Sequence, residues 1–297
     1  MEEIKRVDTV GQYNQYVGVN TLHPLVSVVN LDAVKSMYRF RQYMNVYAIF
    51  LKDKNCGAMS YGGQPYDYDE GTLVFVAPGQ IYGVDSELEM KPSGYALIFQ
   101  PDLLKGSQLG NSIKNYSFFS YQVSEALHLS QKERSTIIEC LEKITGEMEQ
   151  NLDQHSKTLI ISHLELLLNY CTRFYDRQFI TRNHSNKDVL VRFEKLLTEY
   201  FDSGQLEVLG IPSVSWCAGM LFFSSNYFGD LIKKETGSTA LDYIQTRVIE
   251  VAKTRLFDVS KSIHDVATEL GFKYPHHFTR LFKRKVGLTP NDFRHVN

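Results

Sequence analysis

Near the carboxyl end of the chain, one predicted helix carries polar side chains whose types and spacing would allow them to hydrogen-bond the base edges of DNA. Phe278, Leu281 and Phe282 follow the spacing i, i+3, i+4, so they lie on one face of that helix and pack inwards. The opposite face then carries four polar residues, which are His276, Thr279, Arg280 and Lys283. An arginine guanidinium on such a face can donate two hydrogen bonds to guanine O6 and N7. A merely solvated helix face has the same pattern, so the surrounding elements must decide between the two meanings.

The last third of the chain contains an internal repeat. An apolar pattern of four residues recurs 49 positions later. Val214, Ala218, Leu221 and Phe223 correspond in order to Ile263, Ala267, Leu270 and Phe272. After a turn the offset is 50, and Phe228, Leu231 and Ile232 correspond to Phe278, Leu281 and Phe282. Each copy is predicted to be a helix opened by Ser213 or Ser262, a turn, and a second helix closed by Gly237 or Gly287. We therefore predict two helix-turn-helix units, at about 213–237 and 262–287.

A further helical segment, from Thr239 to about Phe257, joins the two copies. Its apolar face consists of Leu241, Ile244, Val248, Val251 and Leu256. At 1.5 Å per residue it spans roughly 27 Å, and successive major-groove segments on one face of DNA lie about 34 Å apart. The segment therefore suits two recognition helices that enter consecutive segments of the major groove.

The first half of the chain has the signals of a β domain. The runs 24–30, 43–51 and 72–77 are rich in β-branched and aromatic residues, and Gly-Pro turns separate them. They predict an antiparallel sandwich or small barrel. From a capping box at Ser130 the apolar period becomes helical and predicts a helical hairpin at about 130–175. Polar residues then predominate, and they predict a linker at 179–187.

The second copy resembles the signature of the AraC/XylS family of transcription regulators. The resemblance lies in Ser262-Ile263, Val266-Ala267, Leu270-Gly271-Phe272, Phe278-Thr-Arg280, Phe282-Lys-Arg284, Gly287-Leu-Thr-Pro290 and Phe293-Arg294. Asn226 to Gly237 resembles the first half of that motif, and the whole match covers roughly 187–294. The strand region around Gly71 to Gly79 is similar to the cupin-like sensor domain found in many members.

The resemblance implies an α+β, two-domain regulator. Residues 1–178 would be a cupin-like antiparallel β-barrel or sandwich with flanking helices, which senses and dimerises. Residues 188–297 would be an all-α DNA-binding domain with two helix-turn-helix motifs joined by a long helix. The expected partners are promoter double-stranded DNA, a second copy in a homodimer, RNA polymerase and a small-molecule effector. We expect a cytoplasmic activator that has no enzymatic activity, no cofactor and no membrane partner.

Site residues are also implied by the resemblance, position by position. The base-edge candidates in the first copy are Asn226, Gly229 and Asp230. Those in the second copy are Pro275, His276, Thr279 and Arg280. Basic residues beside them are expected to contact phosphates or to be solvated flanks, and these are Lys233, Lys234, Lys283, Arg284 and Lys285. Because the first copy offers a glycine and a carboxylate where the second offers longer or basic side chains, we expect the first copy to read fewer bases.

The second helix of the hairpin carries a regular apolar seam. Its members step by 4, 3, 4 and 3 and are Ile160, Leu164, Leu167, Cys171 and Phe174. We expect this seam to form a dimer contact, because Leu159, Ile161, Leu166 and Leu168 make the helix apolar on its other faces too. The alternative is that the seam packs on the preceding helix or on the strand domain.

Aromatic residues of the strand region could line a small-molecule pocket or could simply fill the core, and these are Tyr61, Tyr66, Tyr68, Phe75 and Tyr82. No histidine occurs between Pro24 and Pro101, no His-x-His occurs anywhere, and the cysteines form no CxxC pair. We therefore expect no metal site. The remaining alternative to a regulator is a cupin-like small-molecule-binding protein or enzyme whose helical domain is a protein-interaction module.

Length and charge agree with the two-domain prediction. The chain has 297 residues, which exceeds an average domain of roughly 100 to 200. Its net charge of −2 argues against a polybasic binder, yet the charge is unevenly distributed. Between Gly271 and Asn297, six Lys and Arg residues accompany one Asp. The start of the chain has no apolar segment typical of a signal peptide, so we expect a cytosolic protein.

Overall fold

The structure is a computed structural model that describes residues 4–35, 40–53, 71–84, 91–122, 125–150, 153–181 and 183–296. The chain divides into two compact units, Met1–Thr181 and Arg182–Asn297. No helix in the described ranges is long and apolar enough to cross a membrane.

The first unit combines strands and helices. Its strands are β1 (Lys5–Val7), β2 (Val26–Asn30), β3 (Phe40–Met44), β4 (Tyr47–Lys52), β5 (Thr72–Val76), β6 (Gln80–Val84), β7 (Gly94–Phe99) and β8 (Leu127–His128). Its helices are α1 (Val10–Val17), α2 (Gln108–Ser112), α3 (Gln131–Glu149) and α4 (Ser156–Thr181). The strands form a three-stranded sheet in the order β1-β3-β6 and a five-stranded sheet in the order β2-β7-β4-β5-β8.

One strand pairing departs from the antiparallel sheets that the sequence predicts. β1 pairs with β3 in parallel, and Val7 lies opposite Met44. The other pairings between described strands are antiparallel. A parallel pair requires a long connection, and the chain supplies one because α1 and β2 lie between β1 and β3. The prediction of a purely antiparallel domain is therefore wrong at this edge.

The five-stranded sheet is buried on both faces. One face packs against the three-stranded sheet and α1 and consists of Ala48, Phe50, Val74, Val76, Ala96 and Ile98. On the other face, the Phe75 ring lies 4.4 Å from the Phe118 ring and 6.2 Å from that of Tyr175 on α4. Sheets covered on both faces lack a polar alternation. This explains why β4, β5 and β7 appear in the sequence as nearly continuous apolar runs.

Two of the five residues considered for a small-molecule pocket, Phe75 and Tyr82, fill cores. The Tyr82 ring stacks on Phe50 at 4.5 Å inside the core between the two sheets. Phe75 points the other way, because it follows Val74 on β5 and successive strand residues face opposite sides of a sheet. Phe75 and Tyr82 therefore cannot line one cavity, and both fill cores. Tyr61, Tyr66 and Tyr68 lie outside the described residues.

The predicted dimer seam of α4 packs within its own unit. All five of its side chains are at most 7% exposed, and they are Ile160, Leu164, Leu167, Cys171 and Phe174. α4 lies along α3. Because the seam is already buried in a single copy, the prediction that it contacts a second copy is wrong, and its burial agrees with the alternative of packing on the preceding helix or the strand domain. Sequence spacing could not separate the two, because helices of one chain and helices of two chains interlock at the same positions.

The segment predicted as a linker is helical on both sides. α4 continues to Thr181, and the next helix begins at Asn183. The polar end of α4 is held by hydrogen bonds to the edge strand β8. The amide of Gln178 accepts the His128 backbone N–H at 2.8 Å, and Arg177 donates to the His128 carbonyl at 2.6 Å. The two units divide after Thr181, inside the segment predicted as a linker, and the described residues on both sides of that point are helical rather than irregular.

The second unit consists of helices in its described residues. They are α5 (Asn183–Asp202), α6 (Gln205–Leu209), α7 (Val214–Met220), α8 (Ser225–Thr236), α9 (Ala240–Leu256), α10 (Ile263–Glu269), α11 (Pro275–Val286) and α12 (Pro290–Val296). Two helix pairs form in this unit, a first pair of α7 and α8 and a second pair of α10 and α11. α5 supports the first pair, because the Phe193 ring lies 5.0 Å from the Phe228 ring on α8 and 5.4 Å from the Tyr243 ring on α9.

α6 supports the second helix pair through one glycine. Gly271, in the turn between α10 and α11, has a φ of +77°, a conformation that L side chains rarely adopt. A Cβ atom at this position would lie 2.3 Å from the carbonyl oxygen of Leu206 and 2.6 Å from the Cα atom of Gly210. The close approach of these two backbones therefore requires a residue without a side chain.

Replacing this glycine should destabilise the second unit for two separate reasons. Gly271→Ala introduces both a left-handed alanine and a collision with α6, so we expect a loss of about 2 kcal/mol or more in the free energy of unfolding. Gly237→Ala is the matched control, since φ there is +72° and nothing lies within 4 Å of the added Cβ. It should cost about 1 kcal/mol. Urea unfolding followed by circular dichroism measures both values, and equal losses would contradict the packing described for α6.

Candidate nucleic-acid interface

The two helix pairs begin and end at corresponding residues. Ser213 caps α7 and Ser262 caps α10, each by accepting the backbone N–H three residues further on. Gly237 and Gly287 end α8 and α11 in the left-handed conformation, with φ values of 72° and 87°. Thr239 then caps the joining helix α9. These are the residues at which the sequence predicts the helix boundaries.

The buried residues of the two pairs also correspond. Four positions are at most 6% exposed in both copies, Ala218, Leu221, Phe228 and Ile232 in the first and Ala267, Leu270, Phe278 and Phe282 in the second. α7 packs on α8, and α10 packs on α11. The two pairs therefore share one buried scaffold, and they differ in what they present outwards.

α11 presents a polar and basic face. The apolar face of this helix is buried, with Phe278 and Phe282 fully enclosed. Of the predicted base-reading and phosphate residues, His276, Arg280 and Lys283 are exposed, whereas Pro275 and Thr279 are half-buried. The Thr279 hydroxyl donates to the Pro275 carbonyl at 3.2 Å. Its oxygen keeps lone pairs that can accept a hydrogen bond from an outside donor.

α8 presents a smaller and less basic face. Asn226 and Lys233 are exposed, and Gly229 and Asp230 are half-buried. Nothing lies within 4 Å of the place where a Gly229 Cβ would stand, so the backbone is open to close approach there. At the position where α11 carries the guanidinium of Arg280, α8 carries the carboxylate of Asp230. The structure therefore places all nine predicted residues on the outward sides of two helices, in two groups of unequal charge.

The turns inside the two pairs differ as well. Where the second pair has Gly271, the first has Phe222, which also adopts a positive φ of 64° and is 84% exposed. An L residue in this conformation costs roughly 1–2 kcal/mol relative to a helical one. The first turn tolerates a side chain because Phe222 points into solvent, whereas the second turn lies against α6.

One group of exposed residues was missed in the sequence. The Tyr274 ring, 48% exposed, lies 5.6 Å from both the His276 and the His277 rings at the start of α11. The ammonium of Lys273 lies 5.6 Å from the Tyr274 ring centroid. An aromatic residue between a lysine and two histidines, directly before the helix, was the signal that could have revealed this cluster.

Two basic residues at the end of α11 are engaged within the unit. The guanidinium of Arg284 donates to the Gln245 side-chain oxygen at 2.9 Å. The ammonium of Lys285 lies 2.5 Å from a carboxylate oxygen of Asp242 and 3.0 Å from the Thr246 hydroxyl. Of the two roles considered for Lys285, a solvated flank is therefore wrong, and its ammonium is already neutralised by a protein carboxylate.

The joining helix is also tied to α5 by a phenol. The Tyr243 hydroxyl donates to a Glu194 carboxylate oxygen at 2.5 Å. Burial, together with this carboxylate, raises the pKa of Tyr243 to about 12. The phenol therefore stays protonated at neutral pH and remains a donor to Glu194.

Metal-binding clusters and thiols are the two reactive groupings considered for the described part of the first unit. Among the described residues, no group of three or more His, Cys, Asp or Glu side chains could hold a metal ion. Burial raises the pKa of the Cys140 and Cys171 thiols. Thiols in apolar surroundings are poor nucleophiles because the thiolate is disfavoured there.

Comparisons with protein families and with curated proteins report what this chain is similar to. The family described as "Helix-turn-helix domain" matches residues 217–295. Regulatory protein SoxS of Salmonella typhimurium is 30% identical over 99 residues, which is 33% of this chain and 90% of SoxS.

Two Bacillus subtilis proteins are similar over the same length of chain. The bifunctional transcriptional activator/DNA repair enzyme AdaA is 35% identical over 103 residues, 34% of this chain and 47% of AdaA. The transcriptional regulatory protein YesN is 37% identical over 91 residues, 29% of this chain and 25% of YesN. The matched segments thus span half or less of the length of these two relatives. The duplicated helix pairs and the extent of the match to SoxS together establish that the chain belongs to the AraC/XylS family of transcription regulators.

Proposed function

We propose that this protein is a sequence-specific DNA-binding transcription regulator, with α8 and α11 as its two base-reading helices. The observation that carries the proposal is the duplicated scaffold, in which two helix pairs bury the same positions and turn polar faces outwards. α9 has 17 residues and joins them. At 1.5 Å per residue it is about 26 Å long, close to the roughly 34 Å between successive major-groove segments.

The two helices would divide the work unequally. On α11, Arg280 reads a guanine through O6 and N7, while His276 and Thr279 contact neighbouring base edges. On α8, Asn226 reads a base and Gly229 allows the backbone to approach closely. Asp230 is compatible with DNA only where it accepts a hydrogen bond, for example from a cytosine N4 amine. Lys233 and Lys283 contact phosphates, which hold the protein in register without reading sequence.

Arg280 and Lys283 should give different signatures when each is replaced by alanine. Arg280→Ala removes a bidentate base contact, so binding should weaken by about 1–3 kcal/mol and preference should relax at one base position. Lys283→Ala is the matched control, because it also removes one positive charge from α11. It should weaken binding to all sequences alike and reduce the salt slope by about 1.

In vitro selection from a random duplex library gives the preferred sequence. Fluorescence anisotropy then measures the affinity for duplexes in which each position of that sequence carries each of the four bases in turn, and it is repeated at several salt concentrations. Unchanged preference at every position in Arg280→Ala would refute the assignment of Arg280.

Salt dependence separates a regulator from the alternative, a small-molecule-binding protein or enzyme whose helical unit contacts protein. For a regulator, the logarithm of the DNA association constant should fall linearly with that of the salt concentration, by about 0.9 per phosphate contacted. The natural probe is the DNA upstream of the protein's own gene and of its neighbours. Absence of DNA binding at low salt, over that region and over the selected sequences, would favour the alternative.

The first unit would serve sensing and assembly, as the family resemblance implies. We propose that it has a cupin-like fold, binds a small-molecule effector and forms a homodimer, and that the dimer activates transcription in the cytoplasm by contacting RNA polymerase. Since the inner seam of α4 is occupied by α3, dimer contacts need another surface. α4 exposes Leu159, Leu166 and Ile180, which are separated by one and two heptads.

Charge placed on this outer stripe should weaken the dimer. Leu166→Glu should shift the protein from dimer to monomer at micromolar concentration, because two carboxylates would have to be desolvated in the contact. Val191→Glu on α5 is the control, since Val191 is an exposed apolar residue of the other unit. Sedimentation equilibrium distinguishes the species. A wild-type monomer, or a Leu166→Glu variant that remains dimeric, would remove this surface from consideration.

A further inference from the structure

We infer that Lys285 is a positioning residue, which sets the separation and angle of the two base-reading helices by tying the end of α11 to the beginning of α9. The inference rests on the proposed function, because it concerns the geometry with which α8 and α11 meet DNA. In this role Lys285 acts on DNA binding through α9 rather than through a contact of its own to a base or a phosphate.

The contacts of Lys285 are directional, and its own side chain is largely buried. Its ammonium lies 2.5 Å from the Asp242 carboxylate and 3.0 Å from the Thr246 hydroxyl, one turn further along α9. The side chain of Lys285 is only 17% exposed. Arg284 adds a hydrogen bond of 2.9 Å to Gln245, between those two residues. The last turn of α11 therefore holds three side chains of the first two turns of α9.

The position of this contact connects both base-reading helices. α8 ends at Thr236, Gly237 caps it in the left-handed conformation, and α9 begins at Ala240. Asp242 is in the first turn of α9, where its backbone N–H is donated to the cap residue Thr239 at 3.1 Å. Lys285 is in the last turn of α11, two residues before Gly287. Lys285 and Asp242 thus join the carboxyl end of α11 to the beginning of the helix that directly follows α8.

A second attachment makes the joint rigid. At the other end of α9, the guanidinium of Arg255 donates to the Glu269 carbonyl at 3.0 Å and lies 3.4 Å from its carboxylate. The second helix pair is therefore attached to α9 at two points, one through α11 and one through α10. Apolar contacts between helices are not directional, so they permit sliding and rotation that two polar attachments prevent. Without the Lys285 contact, the last turn of α11 keeps only the exposed hydrogen bond from Arg284 to Gln245, so the pair can turn more freely about the Arg255 attachment.

The consequence for DNA concerns spacing. Adding one base pair between two contact sites displaces the second by about 3.4 Å along the axis and turns it by roughly 35° about it, because a turn holds 10 to 10.5 base pairs. A rigid joint cannot follow that movement, so a single inserted pair should be strongly penalised. A joint without the Lys285 contact can follow it, and the penalty should shrink.

The first test compares spacing penalties, using the full chain and the duplex sequence obtained by in vitro selection with the wild type. One base pair is inserted between the positions protected by α8 and α11. We expect the wild type to lose about tenfold or more in affinity. Lys285→Met, which keeps the aliphatic stem, should lose less than about threefold on the same insertion. Lys285→Arg and the exchange of Lys285→Asp with Asp242→Lys should restore the penalty.

Lys253→Met is the matched control, because it removes one lysine that pairs with Glu250 within α9 itself, at 2.8 Å. It should keep the wild-type penalty, whereas a mere loss of charge would affect both methionine variants alike. Asp242→Asn removes the carboxylate partner of the same ion pair, and it replaces Lys285→Met in the test if that variant does not fold. An unchanged penalty in the folded Lys285→Met or Asp242→Asn variant would overturn the inference.

The second test needs no DNA. Spin labels introduced as non-natural amino acids at the exposed positions Lys233 and Lys283, one on each base-reading helix, report the distance between them by pulsed electron resonance. We expect a single narrow distance distribution in the wild type and in Lys253→Met, and a broader one in Lys285→Met. Identical distributions in all three proteins would overturn the inference. If the distributions respond but no duplex is bound by the wild type, the proposed function fails and the structural role of Lys285 remains.

Discussion

The burial of one apolar face in each helix pair is the interaction on which the rest of the second unit depends. On α11 this face consists of Phe278, Leu281 and Phe282, none more than 8% exposed. Burying such a side chain contributes about 1.5–3 kcal/mol, whereas an exposed ion pair contributes at most about 1 kcal/mol. The apolar face therefore decides how α11 is rotated about its own axis. The identity of the outward residues, Arg280 among them, is a consequence of that rotation.

Burial of apolar faces also explains the packing of the first unit, and it changes which surfaces can serve its function. The five-stranded sheet is covered on both faces, by the second sheet with α1 and by the segment around Phe118 with α4. That arrangement uses the inner seam of α4 and the aromatic rings of Phe75 and Tyr82 for packing. Surfaces for a second copy or an effector must then come from what remains, such as the outer stripe of α4.

Duplication supplied two equal scaffolds, and the neighbouring elements made them different. α5 supports the first pair through Phe193, and α6 supports the second through its backbone contact with Gly271. The outward faces have diverged in charge, with Asp230 where the second copy has Arg280. Under the proposed function, in which α11 reads most of the bases, α8 must be held at a defined distance from α11. The ion pair between Lys285 and Asp242 joins α11 to α9, so it can fix the distance between α8 and α11.

Sequence alone determined the features that depend on local periodicity and on capping. The duplicated pattern, the caps at Ser213 and Ser262, the glycine ends of α8 and α11 and the outward face of α11 all follow from helical spacing and from which residues can end a helix. Tertiary structure decided which apolar face met which partner, and so the seam of α4 packs on α3 rather than on a second copy. It also decided that Phe75 and Tyr82 lie in different cores, that β1 pairs in parallel, and that Lys285 neutralises Asp242. The reason is that spacing specifies which side chains share a face, whereas the group opposite that face comes from a distant part of the chain.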